Sequence, residues 1–265
     1  MATSTRTSSF NKGAAAASAA LLVIFLAAWE WLPPLAGIPA FILPPASAVW
    51  REFLGLMRAE PLLTHAGITA LEVVAGFVIG SALGAAIGFL LGLAPKAELV
   101  LSPYILALQI APKVAFAPLF VMWLGFTVYP KILVAILIVF FPVMVNVLTA
   151  VRTIDPDLIS LARSFSATRW QIFRMIEVPA TMPPLFAGLR IASTLAVIGV
   201  VVGELVGGNK GLGYLLVFGQ GQGNTAVVFV TIIFLTLIGI VAYGLVVWVE
   251  RRVLHYLPKA QYQAT

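Results

Sequence analysis

The sequence predicts an all-α fold, a polytopic bundle of six transmembrane helices carried as one domain over residues 1–265. Two observations lead there. Of the 265 residues 61% are hydrophobic and only 10% charged, whereas soluble chains carry about 25% charged residues. So few charges cannot coat a globule of this size, and the surplus apolar surface must face lipid. Moreover, residues 73–95, 132–151 and 225–249 hold no Asp, Glu, Lys or Arg. Each run exceeds the roughly 18–20 residues with which a helix crosses the hydrocarbon.

The first predicted span is 14–32. Arg6 and Lys12 precede the apolar run Ala14–Ala28, a pattern shared with secretory leaders. The run leads directly into Trp29-Glu30-Trp31-Leu32-Pro33-Pro34, which offers no small-residue cleavage site and suits an interfacial aromatic belt. The expectation is a retained first helix. In the next segment, Ser47 is a candidate N-cap. Val49, Trp50, Phe53, Leu54 and Met57 share one helical face there, with Arg51, Glu52, Gly55 and Arg58 opposite. This predicts a short helix lying in the interface or packed on the bundle.

The second span, 69–94, carries Gly76, Gly80, Gly84, Gly88 and Gly92 in strict register. Such a stripe lets another helix approach closely where lipid supplies no hydrophobic drive. Spacing alone leaves open whether that helix belongs to this chain or to a second copy. In the third span, 99–124, Pro103, Pro112 and Pro118 each remove a backbone donor, and Gln109 and Lys113 sit among apolar neighbours. Broken backbone at membrane depth lines wet cavities or is buried in protein. A midplane lysine costs roughly 2.5–3.5 kcal/mol on insertion scales. Gln109 and Lys113 are therefore candidates for a pathway or gate, with snorkelling of Lys113 as the alternative.

Spans at 131–151, 181–206 and 225–249 complete the set. With both termini cytoplasmic, the inside segments hold Arg6, Lys12, Lys96, Arg152, Arg163, Arg169, Arg174, Arg251, Arg252 and Lys259, and the outside segments only Arg51, Arg58, Lys131 and Lys210. The positive-inside bias supports that orientation. Within the spans Glu72, Arg190 and Glu204 stand out, because intramembrane charges are functional candidates. Near helix ends they can also snorkel. Arg190 and Glu204 join Gln109 and Lys113 as pathway or gate candidates.

Several chemistries are excluded. The chain has no cysteine, hence no disulfide framework and no thiolate metal site. His65 and His255 lie far apart and read as interfacial side chains, so no metal site is predicted. The net charge of +6 comes from dispersed loop cations and nowhere forms a nucleic-acid patch. No nucleophile, carboxylate pair or ligand cluster marks a catalytic centre, and no GxxxxGK[ST] phosphate loop is present. The Gly207–Gly213 stretch lacks the Lys-Ser/Thr pair and reads as a re-entrant loop or short helix on the outer side.

The loop at 152–180 is the most informative stretch. Asp155 can N-cap a helix with Pro156 at its first position and Asp157 favourable to the dipole. Leu158, Leu161, Ala162 and Phe165 then fall at i, i+3, i+4 and i+7, one apolar face. A second amphipathic stretch holds Arg169, Trp170, Phe173 and Arg174, and Pro179 is expected to end it. An apolar face there requires cover: headgroups, the chain's own helices, or a soluble partner.

From Asp155-Pro156-Asp157-Leu158-Ile159-Ser160-Leu161-Ala162-Arg163-Ser164-Phe165-Ser166-Ala167-Thr168-Arg169-Trp170 to Val178-Pro179, this loop resembles the cytoplasmic motif of binding-protein-dependent ABC importer permeases. The branch it is most similar to is the nitrate/sulfonate/taurine one. Leu43-Pro44-Pro45, Ala111-Pro112-Lys113-Val114-Ala115-Phe116-Ala117-Pro118-Leu119, Phe186-Ala187-Gly188-Leu189-Arg190-Ile191-Ala192 and Gly211-Leu212-Gly213-Tyr214 extend the likeness over nearly all of the chain after residue 40. Two positions depart: Ser160 stands where the family motif has glutamate, and Ser166 where it has glycine. The second departure predicts a less sharply turned junction or another backbone path.

The resemblance implies a type I importer permease, a non-catalytic subunit of the bacterial inner membrane. Its site would be the coupling helix, with Asp155, Pro156, Leu158, Leu161, Ala162, Phe165, Thr168 and Arg169 docked into a groove on a separate cytoplasmic ATPase. Implied partners are that ATP-binding subunit, a second permease copy, an extracytoplasmic solute-binding protein and the bilayer. The chain itself would hold no cofactor, ATP and Mg residing on the ATPase. The implied cargo is a small solute, an anion such as nitrate, a sulfonate or taurine, or a heterocycle such as a pyrimidine. A stand-alone secondary transporter or channel is the rival reading; it would need midplane carboxylates or an inverted repeat.

Overall fold

The computed structural model describes residues 6–59 and 62–256, the side chains at 6–12 and 59 excepted. Arg6, Lys12 and Lys259, which bear on orientation, lie outside the described side chains. The described residues contain helices and no strand. In chain order these are α1 (Arg6–Leu35), α2 (Ala46–Ala59), α3 (Leu62–Leu93), α4 (Pro95–Ile110), α5 (Ala117–Leu124), α6 (Tyr129–Arg152), α7 (Pro156–Ser164), α8 (Arg169–Ile172), α9 (Val178–Gly207), α10 (Leu212–Gly221) and α11 (Thr225–Val253). Five stretches are long and apolar enough to cross a membrane: Gly13–Leu35, α3, α6, the continuous helix Arg169–Gly207, and α11. A sixth is the pair α4 and α5, joined through a 3₁₀ turn (Lys113–Phe116) and bent by 79°.

Two compact units can be distinguished. The first comprises Met1–Leu62 and Leu215–Ile232. Here Trp29 Nε1 donates to the Pro44 carbonyl at 3.0 Å, and the Glu30 carboxylate accepts from Ser47 N–H at 2.8 Å and from Ser47 Oγ at 2.7 Å. Ser47 thus lies inside α2 and gives its hydrogen bonds to Glu30. It does not cap the helix, because α2 already begins at Ala46 and the Ser47 N–H itself is taken by the Glu30 carboxylate of α1. Val49 and Leu56 are buried, while Trp50, Leu54 and Met57 are exposed.

The second unit comprises Leu63–Tyr214 and Ile233–Thr265, and α6 is its centre. Val134, Ala135, Val139 and Val143 of α6 are wholly buried. Small residues on two neighbours make this possible. The stripe Gly76, Gly80, Gly84, Gly88 and Gly92 of α3 lies on α6. A Cβ at Gly76 would stand 2.5 Å from Ala135 Cβ, one at Gly84 2.6 Å from the Phe140 carbonyl, and one at Gly92 2.5 Å from Val151 Cβ; Gly88 abuts the Met144 carbonyl. On the other side Gly199 and Gly203 of α9 approach the Ala135 and Lys131 Cα atoms, each to 2.6 Å from where a Cβ would sit. The open choice between a helix of this chain and a second copy is thereby answered by α6, with backbone meeting backbone as membrane packing favours.

These contacts also fix direction. Gly76 to Gly92 pair with Ala135 to Val151 in rising order, so α3 and α6 run parallel over about 24 Å. The chain must therefore return across the bundle between them, and only the broken pair α4–α5 lies there. The pair is one crossing. Gly203 and Gly199 meet Lys131 and Ala135 in the reverse order, which makes α9 antiparallel to α6. Arg190 pairs with Glu250 and Val197 faces Gly239, again in reverse order, which makes α11 antiparallel to α9.

One expectation fails. Pro179 does not stop the helix that starts at Arg169. A π turn (Phe173–Glu177) precedes it, with Val178 N–H reaching back to the Phe173 carbonyl. The widened turn accommodates a residue that has no N–H and whose ring would crowd the preceding turn, and the helix continues to Gly207.

Candidate functional site

At the end of α6 that carries α7, Asp155 Oδ1 accepts from Asp157 N–H at 2.9 Å and Pro156 occupies the first helical position. The helix ends after Ser164. Ala167 N–H bonds the Ala162 carbonyl at 3.0 Å and Ser166 N–H bonds the Arg163 carbonyl at 2.9 Å. This six-to-one and five-to-two pattern is a Schellman cap, which puts the residue after the C-cap in the left-handed region. That residue is Ser166, at φ 59°. The sharp turn expected of glycine is kept by a serine, and the less turned path expected from the sequence is not taken. A non-glycine residue pays roughly 1–2 kcal/mol for that conformation, offset here by two backbone hydrogen bonds.

Thr168 then caps α8: its Oγ1 accepts from Gln171 N–H at 3.3 Å, while Gln171 Oε1 accepts from Thr168 N–H at 2.7 Å. Arg169 opens that helix on the exposed side. Ile159 and Ala162 are the half-buried residues of α7, whereas Leu158, Leu161 and Phe165 are 51%, 56% and 79% exposed. Trp170 and Met175 beyond them are also exposed, with the Trp170 and Phe173 rings stacked at 5.2 Å. Among the described residues no helix covers the apolar face of α7.

The break between α4 and α5 places Lys113 against the end of α4. Its ammonium donates to the Gln109 and Ala111 carbonyls and stands 4.9 Å from the Phe141 ring centroid. Carbonyls orphaned where a helix stops need donors, and Lys113 supplies one. The Gln109 side chain is exposed, and no residue of α4 is buried. Glu98 in the first turn of α4 pairs with Arg152 in the last turn of α6.

Arg190 and Glu204 lie far apart. Arg190 forms a bidentate pair with Glu250 of α11, Nε to Oε2 at 2.6 Å and Nη2 to Oε1 at 2.7 Å. Arg190 sits about six turns along the helix that starts at Arg169, and its charge is met there by Glu250.

Glu204 belongs to a buried polar cluster at the opposite end of α6. Thr69 Oγ1 donates to Glu204 Oε1 at 2.7 Å and accepts from Leu212 N–H at 2.8 Å. Gly213 N–H donates to Glu204 Oε2 at 2.6 Å, and Gly211 N–H to His65 Nδ1 at 3.0 Å. Alongside, Lys131 Nζ donates to Glu72 Oε1 at 2.8 Å and to the Lys210 carbonyl at 3.4 Å. Glu204, Lys131 and Glu72 are 1%, 2% and 4% exposed. Side chains of α3, α6 and α9 thus hold the glycine-rich turn 208–213 and the first N–H groups of α10. Gly211, at φ 109°, leaves no room for a Cβ beside the Glu204 carboxylate.

Two expectations are corrected here. His65 is buried and accepts a hydrogen bond, so it is no interfacial side chain. Lys131, counted among the loop cations, is an interior ion-pair partner, since an unpaired charge at that depth would be costly. A charge on the first residue of the predicted span 131–151 was the available signal. Among the described residues no group of His, Asp or Glu converges as a metal site.

The chain is similar to several known proteins. The family model described as binding-protein-dependent transport system inner membrane component matches residues 84–255. The riboflavin transport system permease protein of Chloroflexus aurantiacus is 36% identical, over 87% of this chain and 86% of the relative. A putative aliphatic sulfonates transport permease of Bacillus subtilis is 31% identical over 89% and 86%. The formylaminopyrimidine transport permease of Halalkalibacterium halodurans is 32% identical over 89% and 94%. Among solved structures, a chain of the MetNI methionine ABC transporter in inward-facing conformation aligns with a TM-score of 0.55 at 20% identity, over 74% of this chain and 95% of that one. The last likeness concerns the fold.

Proposed function

The chain belongs to the binding-protein-dependent transport system inner membrane components of the nitrate/sulfonate/taurine type, and from that premise we propose that it forms the solute pathway of an ATP-driven importer. It is a multi-pass permease subunit of an ABC transporter. The cargo is a small solute of the classes named for its relatives, an anion such as a sulfonate or a small heterocycle. A separate solute-binding protein delivers it and sets most of the selectivity.

One observation carries the coupling assignment: the uncovered face of Leu158, Leu161 and Phe165 on a short helix closed at both ends by caps. Caps stabilise the helix at both ends, and an exposed apolar face of that kind fits a groove on a soluble partner. The partner is the cytoplasmic ATPase, which binds ATP and Mg; this chain supplies no residue to the nucleotide. Two permease copies line one pathway, α4 and the broken crossing facing it, with both termini and α7 in the cytoplasm. Closure of the ATPase pair pulls on α7, and the rigid α3–α6–α9 slab transmits the displacement to the pathway.

The test is copurification in mild detergent. Leu161→Asp or Phe165→Asp should release the ATPase while the permease stays inserted and folded. Undiminished ATPase in both variants would remove the docking assignment. Transport by the reconstituted chain alone, without ATP, would favour the secondary-transporter reading.

A further inference from the structure

Within the second unit, α3, α9 and α11 enclose an apolar groove of about 270 Å³. Its floor is Val73, Phe186 and Val246, all buried, and its rim is Val78, Leu245 and Val249, all exposed. One floor hydroxyl, Ser193 Oγ, already donates to the Arg190 carbonyl at 2.8 Å, so the groove offers no free donor to a polar ligand. Every wall is a membrane-spanning helix. A dry furrow of this kind on spanning helices is complementary to a hydrocarbon chain.

The face of α11 that walls the groove runs toward a cation. Ala242, Leu245, Val246 and Val249 recur at i, i+3, i+4 and i+7 along α11, and three residues further, on the edge of that face, stands Arg252. Its guanidinium lies 5.2 Å from the Trp248 ring centroid, and the side chain is exposed. Arg190 close by is committed to Glu250. Among the described residues the Arg252 guanidinium meets only the Trp248 ring. An arginine resting on a tryptophan where a helix leaves the bilayer presents a planar fork to a phosphate.

We propose that this groove is a phospholipid site, with one acyl chain along α3, α9 and α11 and the headgroup phosphate on Arg252. The acyl chain excludes water from the face of the Arg190–Glu250 pair and ties α11 to α9 and α3 through a non-protein element. The proposal depends on membrane embedding and not on what is transported.

Native mass spectrometry of the full chain, purified with its accompanying subunits, tests it with two probes: phosphatidylglycerol, and a diacylglycerol of the same chains. Wild type should retain about one phosphatidylglycerol per chain through delipidation and bind it at least tenfold more tightly than the diacylglycerol. Arg252→Gln, an exposed change that leaves the bundle intact, should abolish that preference. Ala242→Phe, which fills the groove, should lose both lipids. A wild-type preference that survives in Arg252→Gln overturns the headgroup assignment, and lipid retention unchanged in Ala242→Phe overturns the site. If Ala242→Phe instead lowers the number of permease chains per particle, the groove is an interface between copies and the lipid assignment falls.

Discussion

Thr69 on α3 and Glu204 on α9, 135 positions apart in the chain, share a 2.7 Å hydrogen bond with both residues buried. Thr69 simultaneously accepts the Leu212 N–H, so one hydroxyl orients a carboxylate and anchors the start of α10. Thr69→Val keeps the shape and removes both bonds, leaving a buried N–H and a carboxylate oxygen short of partners. The expected loss is about 2–3 kcal/mol, read as lower thermal stability in detergent. Thr69→Ser, which keeps the hydroxyl, should retain most of it.

For Lys131 and Glu72 the sign of the effect depends on which partners remain. Lys131→Met strands a buried carboxylate and should cost about 3–5 kcal/mol. Replacing both, Lys131→Met with Glu72→Leu, should recover much of that loss, because neither member of the pair is left inside without the other. A double-mutant cycle on thermal unfolding measures the difference; strictly additive losses would refute the pairing.

Two glycines of α3 should respond oppositely to alanine. Gly84→Ala drives a methyl to 2.6 Å from the Phe140 carbonyl, and the helices must separate, so assembly and stability should fall. Gly67 has nothing within 4 Å of a built Cβ. Gly67→Ala should be neutral or stabilising by up to about 1 kcal/mol through helix propensity.

Ser166 holds a backbone conformation that glycine adopts without strain. Ser166→Gly should favour the capped form of the 155–168 loop by about 1 kcal/mol, seen as greater resistance to limited proteolysis and ATPase retention through stronger salt washes. Ser166→Val should weaken both, since a branched Cβ fits the left-handed region worst.

The spans were legible because lipid imposes a length and a charge deficit on any helix that faces it. The stripe from Gly76 to Gly92 was legible as a close-packing face for the same reason: its period is local. Its partner was not, since nothing in 69–94 points to α6. The polar cluster escaped because its members enter from His65 to Gly213 in separate segments, each looking like an isolated charge or an ordinary loop residue. Lys131 in particular sits where a loop cation is expected, and only the arrival of Glu72 from α3 converts it into an interior one. Pro179 misled for a physical reason: local rules say that proline ends a helix, and a π turn upstream lets this one continue.

The parallel register of α3 on α6 limits how this chain can change length. One residue inserted within α3 rotates everything beyond it by about 100° around the helix axis, carrying every later glycine off the α6 backbone at once and bringing bulky neighbours into its place. Stretches outside the pairing, such as 37–45 and 125–128, carry no such register and can change length without moving a glycine off α6.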